Sequence, residues 1–464
     1  MNQAGPYTQT IAAFASTYHY AALPPAAVER AKEIILDTIG AILLGSRPGY
    51  KAVRLLGDLA RAESSPGGFP AAQDGAPLCT IVGRDVKGSL LDASLANGTM
   101  GYAADAEGGG AARIHAAAVF VPAVLTVGEY SHSSGKAVIA ALCLAYDVAT
   151  RISDAADTGT SYPHAFHPSA VFGHFGAAAA AGHLFDLDEQ QFVNALGLAG
   201  INAGGMIAWV DDPSEDSRGF VIGVAAQNGI RAALLAKQGM GGPIRILDDA
   251  KYSIYDAYSG AMHLDRLVAG LGQDYRIVQA GGYKRYTCCG DIHSGLDALL
   301  SIMQTHQLHA SQIQRITHWV KPGRVDVIND NFLKSHNAQY ILTVAATRGA
   351  IDPDDILFDR REDPAIAGLY RRVSLQGDPS LNEVTDGAPA IVEVQTQDGR
   401  TFTERVDYAR GNRQNPFTPA ELREKFLRWA TTRLDARQAA RIVNLTGRLE
   451  ELEDVAELAA LLTA

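Results

Sequence analysis

The residues best suited to acid–base chemistry lie in one glycine-rich loop. The segment from residue 97 to 122, NGTMGYAADAEGGGAARIHAAAVFVP, carries Asp105, Glu107, Arg113 and His115 between apolar, helix-forming flanks. A carboxylate near an imidazole can orient it and tune it as a general acid or base. Three glycines between Asp105 and His115 let the backbone fold back so that both side chains can face one cavity. We predict that His115, oriented by Asp105, transfers protons; a surface loop with scattered polar residues is the alternative.

Three histidines surround the start of an alanine-rich helical segment. His164, His167 and His174 lie in SYPHAFHPSAVFGH. Their spacing could indicate a metal site, but no HExxH pattern or matching cysteine pair accompanies it. The proline after His167 is typical of a residue just before a helix N-terminus. We therefore predict no metal site and one functional imidazole, His167, with the other two histidines structural.

A basic residue between aromatic side chains forms the third cluster. Lys284 lies in YKRYTCCGDIH, where a helix-rich region gives way to a mixed one. A lysine that loses hydration has a lowered pKa and can act as a base, whereas one that stays charged can bind a substrate carboxylate. The alternative is a strand with outward-facing basic residues.

The elements that position these clusters follow from hydrophobic periodicity. Helical patterns cover residues 26–46, 119–129, 136–152, 168–185, 189–203, 220–237, 294–305 and 336–349. Strand patterns cover residues 315–320, 390–397 and 400–406, the last two joined as a hairpin at Asp398-Gly399. Helices return after Pro416. We predict a mostly α-helical fold with a helical domain from 1 to 271, a smaller α+β domain from 272 to 411, and C-terminal helices from 412 to 464 that rejoin the first domain.

Composition excludes several classes of function. The chain has 464 residues, a net charge of -11 and a pI near 5.6, so no basic field exists to bind nucleic acid or an anionic membrane. The N-terminus does not resemble a signal peptide, and we expect a cytoplasmic protein. The four cysteines show no CxxC spacing, so we expect neither a disulfide framework nor a zinc site. No glycine-rich segment fits a nucleotide loop, and no GxSxG motif is present.

Several runs together resemble the MmgE/PrpD family, which includes 2-methylcitrate dehydratase, cis-aconitate decarboxylase and iminodisuccinate epimerase. They span nearly the whole chain: ILDTIGAILLGS, NGTMGYAAD, IHAAAVFVPAVL, AYDVATRI, FHPSAVFGHFGAAAAAG, NALGLAG, LLAKQGMGGP and YKRYTCCGDIHSGLDALL. The resemblance implies a homodimer without metal or organic cofactor, each chain combining a helical domain with a lid-like α+β domain. It places family active-site residues at Asp105, His115, His167, Lys284 and, on a helix further along, Tyr340. Arg218 falls where relatives usually carry a lysine.

The chain also departs from the family pattern. Where many relatives read DFDDT, it reads Asp105-Ala106-Glu107-Gly108-Gly109, and Val221 replaces a histidine. A dehydratase must protonate a leaving hydroxyl, so the loss of polar side chains weakens that assignment. An epimerase needs only two proton-transfer groups on opposite faces of one carbon.

We therefore predict a cofactor-independent enzyme that abstracts a proton α to a carboxylate of a small di- or tricarboxylic acid. His115 and Lys284 are the predicted proton-transfer groups, while His167, Arg218 and Arg113 bind carboxylates and stabilise negative charge. Epimerisation of an iminodisuccinate-like dicarboxylate ranks first, dehydration second and decarboxylation third. A non-catalytic relative that binds a metabolite is the alternative from a different class.

Overall fold

The computed structural model describes residues 5–63, 78–156, 165–258 and 262–464. These residues form two compact units. The larger unit contains the described residues up to 103, those from 107 to 281 and those from 422 onward, and the smaller unit contains residues 104–106 and 282–421. The fold is mostly helical, as the sequence predicts.

Helices dominate the described chain. In chain order they are α1 Pro6–Ser16, α2 Pro25–Gly45, α3 Lys51–Glu63, α4 Leu90–Ala103, α5 Ala116–Tyr130, α6 Gly135–Ala155, α7 Pro168–Leu184, α8 Glu189–Asn202, α9 Asp216–Lys237, α10 Ile254–Tyr258, α11 Leu264–Val268, α12 Gly290–Thr305, α13 Val325–Ile328, α14 Ala338–Arg348, α15 Pro353–Leu357, α16 Pro364–Tyr370, α17 Pro419–Ala430, α18 Ala436–Gly447 and α19 Ala456–Ala459. The strands are β1 Cys79–Thr80, β2 Lys87–Gly88, β3 Ile313–Val320, β4 Val373–Gly377, β5 Ala390–Thr396 and β6 Thr401–Val406.

Small residues allow the core helices of the larger unit to approach closely. Helix α9 packs against α4 and α7. A Cβ atom on Gly223 would lie 2.4 Å from the backbone oxygen of Leu95 in α4, and one on Gly229 would lie 2.6 Å from the backbone oxygen of His174 in α7. Neither glycine can be replaced without moving a helix. The alanine- and glycine-rich patterns in the sequence therefore reflect backbone contact between helices.

Helix α9 is also long and apolar enough to cross a membrane, and it is the one helix of the described residues that meets this test. More than half of its most apolar window is buried inside the protein. It packs on both α4 and α7, as the core helix of a globular unit does.

The smaller unit is built on a four-stranded mixed sheet in the order β4-β3-β5-β6. Strand β3 pairs parallel with β4 and antiparallel with β5, and β5 pairs antiparallel with β6. The β5–β6 hairpin turns at Gly399, whose φ of +88° is a conformation that favours glycine. Helix α12 packs on β5 and β6, and this contact buries the apolar side of the sheet.

The predicted strands are confirmed within two residues, whereas β4, like the two-residue strands β1 and β2, was not predicted from the sequence. Only Val373 of this strand is buried, and its last two residues are exposed. A half-exposed edge strand of five residues carries too little alternation to be recognised. Its parallel pairing with β3 joins segments separated by more than fifty residues, and local sequence does not encode such a pairing.

Candidate active site

The glycine-rich loop is held in place by three helices of the larger unit. Asp37 on α2 accepts a hydrogen bond from the Gly108 amide at 2.8 Å. The Tyr146 hydroxyl on α6 donates to the Gly109 carbonyl at 2.6 Å. At the end of the loop, the His115 amide donates to Ser169 Oγ on α7 at 2.9 Å. The loop therefore has fixed backbone positions despite its glycines.

A buried ion pair supports the first of these contacts. Lys425 Nζ on α17 lies 2.5 Å from Asp37 Oδ1, and both side chains are almost fully buried. The other carboxylate oxygen of Asp37 receives the Gly108 amide. The two contacts satisfy both oxygens of a carboxylate that is buried beneath the loop, as a buried charge requires.

His115 forms an acid–base pair with Glu107. Its Nδ1 lies 2.8 Å from Glu107 Oε1, and the Glu107 side chain is only 1% exposed whereas that of His115 is 34% exposed. A carboxylate at Nδ1 accepts the Nδ1 proton and leaves Nε2 as the basic nitrogen. The carboxylate that contacts Nδ1 is that of Glu107, a residue with no role assigned from the sequence, and the orientation of His115 by Asp105 stays a prediction.

The second ring nitrogen of His115 meets a phenol. Tyr102, in the last turn of α4, places its hydroxyl 3.1 Å from Nε2. The two rings contact each other edge to face with centroids 4.6 Å apart. Tyr102 is 3% exposed. Glu107, His115 and Tyr102 therefore form a continuous carboxylate–imidazole–phenol chain.

His167 lies beside this chain as a neutral imidazole. It precedes α7, which begins at Pro168 as predicted, and its ring stacks on that of His115 with centroids 6.0 Å apart. Burial, with smaller contributions from His115 and Arg218, lowers the pKa of His167 to about 3. It is therefore neutral near pH 7, and it can bind an anion only as a hydrogen-bond donor and not as a cation.

Arg218 supplies the buried positive charge near the chain. Helix α9 begins four residues earlier than predicted, because Asp212 accepts both the Ser217 amide and the Ser217 hydroxyl at the helix start. This places Arg218 in the first turn, where its guanidinium carbon lies 4.9 Å above the Tyr102 ring and 5.9 Å from the ring of Trp209. Its Nη2 donates to the Tyr102 carbonyl at 3.3 Å. A guanidinium stays protonated in proteins, and this one is 1% exposed.

Asp105 and Lys284 form an ion pair within the smaller unit. The Lys284 ammonium contacts Asp105 Oδ1, and the two side chains are 15% and 3% exposed. Asp105 has a φ of +51°, a left-handed conformation that few residues other than glycine adopt. The pairing favours a charged lysine over a neutral one. The catalytic roles assigned to these two residues stay predictions.

Other predicted residues lie in different surroundings. Arg113 is exposed in a tight turn with a φ of +64°. Tyr340 is fully buried in α14, and its hydroxyl donates to the Asp355 carbonyl at 2.5 Å. Burial is the main cause that raises the pKa of Tyr340 to about 12. This hydroxyl therefore stabilises the smaller unit through a backbone contact, and the place of Tyr340 among substrate-binding active-site residues, which the resemblance implies, stays a prediction.

The remaining histidines and the cysteines show no ligand geometry. Within the described ranges, no group of three or more His, Cys, Asp or Glu side chains is placed to hold a metal ion. His174 is buried in α7, and burial lowers its pKa to about 4, whereas His164 lies outside the described residues. The four cysteines, all in described segments, are free thiols.

Comparison with known proteins decides the family. The MmgE/PrpD N-terminal domain matches residues 9–266, and the MmgE/PrpD C-terminal domain matches residues 286–451. The chain belongs to the MmgE/PrpD family. The resemblance noted from the sequence is thereby confirmed.

Curated relatives of this MmgE/PrpD protein match over nearly its whole length. The mouse cis-aconitate decarboxylase is 25% identical and covers 94% of this chain and 89% of its own. The human cis-aconitate decarboxylase is also 25% identical, with 94% and 90% covered. The cis-aconitate decarboxylase-like protein oryM of Aspergillus oryzae is 24% identical, with 95% and 94% covered.

Two members of the site in this MmgE/PrpD chain, Glu107 and Tyr102, were not predicted from the sequence. Glu107 was noted in the loop but received no role, and Tyr102 was not considered. The signal for Glu107 was present, since it is the carboxylate nearest to His115 in the loop sequence. Tyr102 lies on the helix that ends just before the loop, and only the fold shows that this helix end returns to His115.

Proposed function

We propose that this MmgE/PrpD protein is an enzyme that transfers a proton to or from a carbon atom adjacent to a carboxylate in a small di- or tricarboxylic acid. The observation that carries the proposal is the Glu107–His115 pair, in which a buried carboxylate meets a partly exposed imidazole at 2.8 Å. Such a pair is suited to general acid–base catalysis. His115 is the side of the pair that a substrate can reach.

Decarboxylation is the reaction that this site supports best. The bond from carbon to the departing carboxylate breaks, carbon dioxide leaves, and the electron pair stays delocalised over the unsaturated acid until a proton forms the new C–H bond. One proton donor is enough for this sequence. Epimerisation needs a base and an acid on opposite faces of the carbon, and dehydration needs an acid for the leaving hydroxyl. The names of the relatives also favour decarboxylation, which the prediction from the sequence ranked third.

The charge around His115 suits an anionic substrate. Arg218 holds a positive charge close to the Tyr102 ring, and the neutral His167 ring stacks on His115. We propose that Arg218 stabilises the negative charge that develops when the carboxylate leaves, as preorganised charges do in buried sites. His167 then contributes a hydrogen bond to a substrate carboxylate.

Proton NMR in deuterated water tests the proposal. The protein is incubated with cis-aconitate, 2-methylcitrate and a panel of dicarboxylates including malate and aspartate. We expect cis-aconitate to yield a decarboxylated product that carries one deuterium on carbon. His115→Asn is the control for catalysis by this site and should abolish the signal. Exchange without a new product would replace decarboxylation by epimerisation, and silence over the whole panel would contradict the proposal.

A further inference from the structure

We propose that Tyr102 is a catalytic residue that passes the proton between Nε2 of His115 and the substrate carbon. The inference rests on the proposed function, since it names the atom of that site at which the proton is exchanged. Tyr102 follows the Asn97-Gly98-Thr99 run near the end of α4, and its hydroxyl is 3.1 Å from Nε2.

The direction of the hydrogen bonds fixes the role of the phenol. Glu107 accepts the Nδ1 proton of His115, so Nε2 of the neutral ring is an acceptor. The Tyr102 hydroxyl therefore donates to Nε2. When the ring is protonated, Nε2–H donates to the phenol oxygen instead, and the phenol proton is then available to another acceptor.

In this arrangement the Tyr102 phenol is the last member of the hydrogen-bonded chain that begins at Glu107. Both ring nitrogens of His115 have protein partners, so a substrate atom cannot take the proton from Nε2 while the Tyr102 contact is intact. A third of the His115 side chain is exposed, so a substrate can approach the imidazole whose Nε2 contacts the Tyr102 hydroxyl. The Tyr102 hydroxyl is thus the proton donor next to the Nε2 atom of this partly exposed ring.

The positive charge of Arg218 favours proton release from the Tyr102 phenol. Its guanidinium carbon lies 4.9 Å from the centroid of the Tyr102 ring, and both residues are almost fully buried. A nearby positive charge stabilises a developing phenolate, and the effect is stronger where water is excluded. The buried arginine therefore lowers the cost of the transfer.

The proposed step conserves protons and electrons. After carbon dioxide leaves, the Tyr102 O–H bond breaks and its proton forms the new C–H bond with the electron pair left on the substrate. The Nε2–H bond of the imidazolium breaks in concert, and that proton restores the Tyr102 hydroxyl. His115 ends as the neutral ring, still hydrogen-bonded to Glu107, and solvent protonates it again before the next turnover.

The test compares Tyr102→Phe with a matched tyrosine variant. Tyr255→Phe is the control, because Tyr255 is fully buried in the same unit and its hydroxyl has no hydrogen-bond partner among the described residues. We expect Tyr102→Phe to lose roughly 10²- to 10⁴-fold in kcat, as removal of a general acid does, with little change in KM. The control should keep wild-type kcat.

A proton inventory separates a relay from a residue that only holds the ring. Single-turnover rates are measured in mixtures of light and heavy water, so that chemistry is isolated from product release. Two protons in flight give a curved plot for the wild type, and loss of the relay gives a straight line for Tyr102→Phe. A curved plot for both proteins, or wild-type kcat in the variant, would overturn the proposal.

A spectroscopic readout keeps this test distinct from that of the proposed function. Nitrogen-15 NMR of His115 reports the hydrogen bond at Nε2 without any substrate, and we expect its signal to shift in Tyr102→Phe and not in Tyr255→Phe. An unchanged signal would refute the Tyr102–His115 contact even in an active enzyme. A shifted signal in a protein that acts on no substrate of the panel would confirm the contact and reject the function.

Discussion

Replacing Glu107 by Gln tests whether this residue, and not Asp105, orients His115. Gln keeps the length of the side chain and an oxygen that can accept the Nδ1 proton, but it removes the negative charge. The charge is what stabilises the imidazolium that forms during proton transfer. We expect Glu107→Gln to fold normally and to turn over more slowly.

The size of the effect follows from the geometry. A hydrogen bond of 2.8 Å to a side chain that is 1% exposed belongs to the charged class, which contributes about 1.5–3 kcal/mol. Losing it raises the barrier by that amount, which corresponds to a fall in kcat of about 10- to 150-fold. The exposure of His115 to solvent places the expected value nearer the lower end.

The assay combines kinetics with the tautomer of His115. The decarboxylation rate is measured for wild type and Glu107→Gln, and nitrogen-15 NMR identifies which ring nitrogen carries the proton in each. Asp105→Asn is the matched comparison, since it removes one carboxylate charge two residues earlier in the same loop. We expect the Nδ1–H tautomer in wild type and Asp105→Asn, and a mixture in Glu107→Gln. A mixture in Asp105→Asn together with an unchanged tautomer in Glu107→Gln would refute the assignment and restore the prediction made from the sequence.

Two further predictions concern stability. Lys425→Met leaves the Asp37 carboxylate buried without its counter-charge, and we expect the free energy of unfolding, measured with urea, to fall by about 3–5 kcal/mol. Adding Asp37→Asn to this variant should recover part of the loss. A Lys425→Met protein as stable as wild type would show that the ion pair does not stabilise the fold. Burial lowers the pKa of His167 to about 3. Below about pH 6.5 the unfolded chain therefore binds a proton at this histidine that the folded protein does not bind. As the pH is lowered further, this residue reduces the free energy of unfolding by about 1.4 kcal/mol per pH unit. Urea unfolding between pH 7 and 5 should therefore show a shallower slope for His167→Asn than for wild type, and equal slopes would mean that His167 is not held neutral.

The sequence predicted most of the fold because its helices carry their own signals. Helix α7 begins at Pro168 and α6 begins after Ser134, whose hydroxyl accepts the Ala137 amide. Strands β5 and β6 alternate and share a glycine turn. Local periodicity and caps determine such elements. Strand β4 has no such signal, and its pairing with β3 comes from tertiary contact.

The candidate site was harder to predict than the fold, because sequence distance does not give the direction of a side chain. Asp105 and Glu107 are two residues apart and both carry a carboxylate, yet Asp105 forms an ion pair with Lys284 and Glu107 forms one with His115. The backbone at Asp105 adopts a left-handed φ of +51°. A one-residue conformational change of this kind cannot be inferred from spacing.

The glycines of the loop are better explained by the backbone hydrogen bonds that anchor the loop than by a loss of function. Gly108 donates its amide to Asp37, and the Gly109 carbonyl accepts a hydrogen bond from the Tyr146 hydroxyl. Gly109 has a φ of +66°, and a Cβ there would lie 3.0 Å from the Tyr146 hydroxyl oxygen. Only glycine fits both requirements. These backbone hydrogen bonds anchor the two residues that follow Glu107, and a catalytic pair depends on such preorganisation. The loop glycines therefore do not count against catalysis, and the carboxylate–imidazole–phenol chain beside the loop is an arrangement suited to proton transfer.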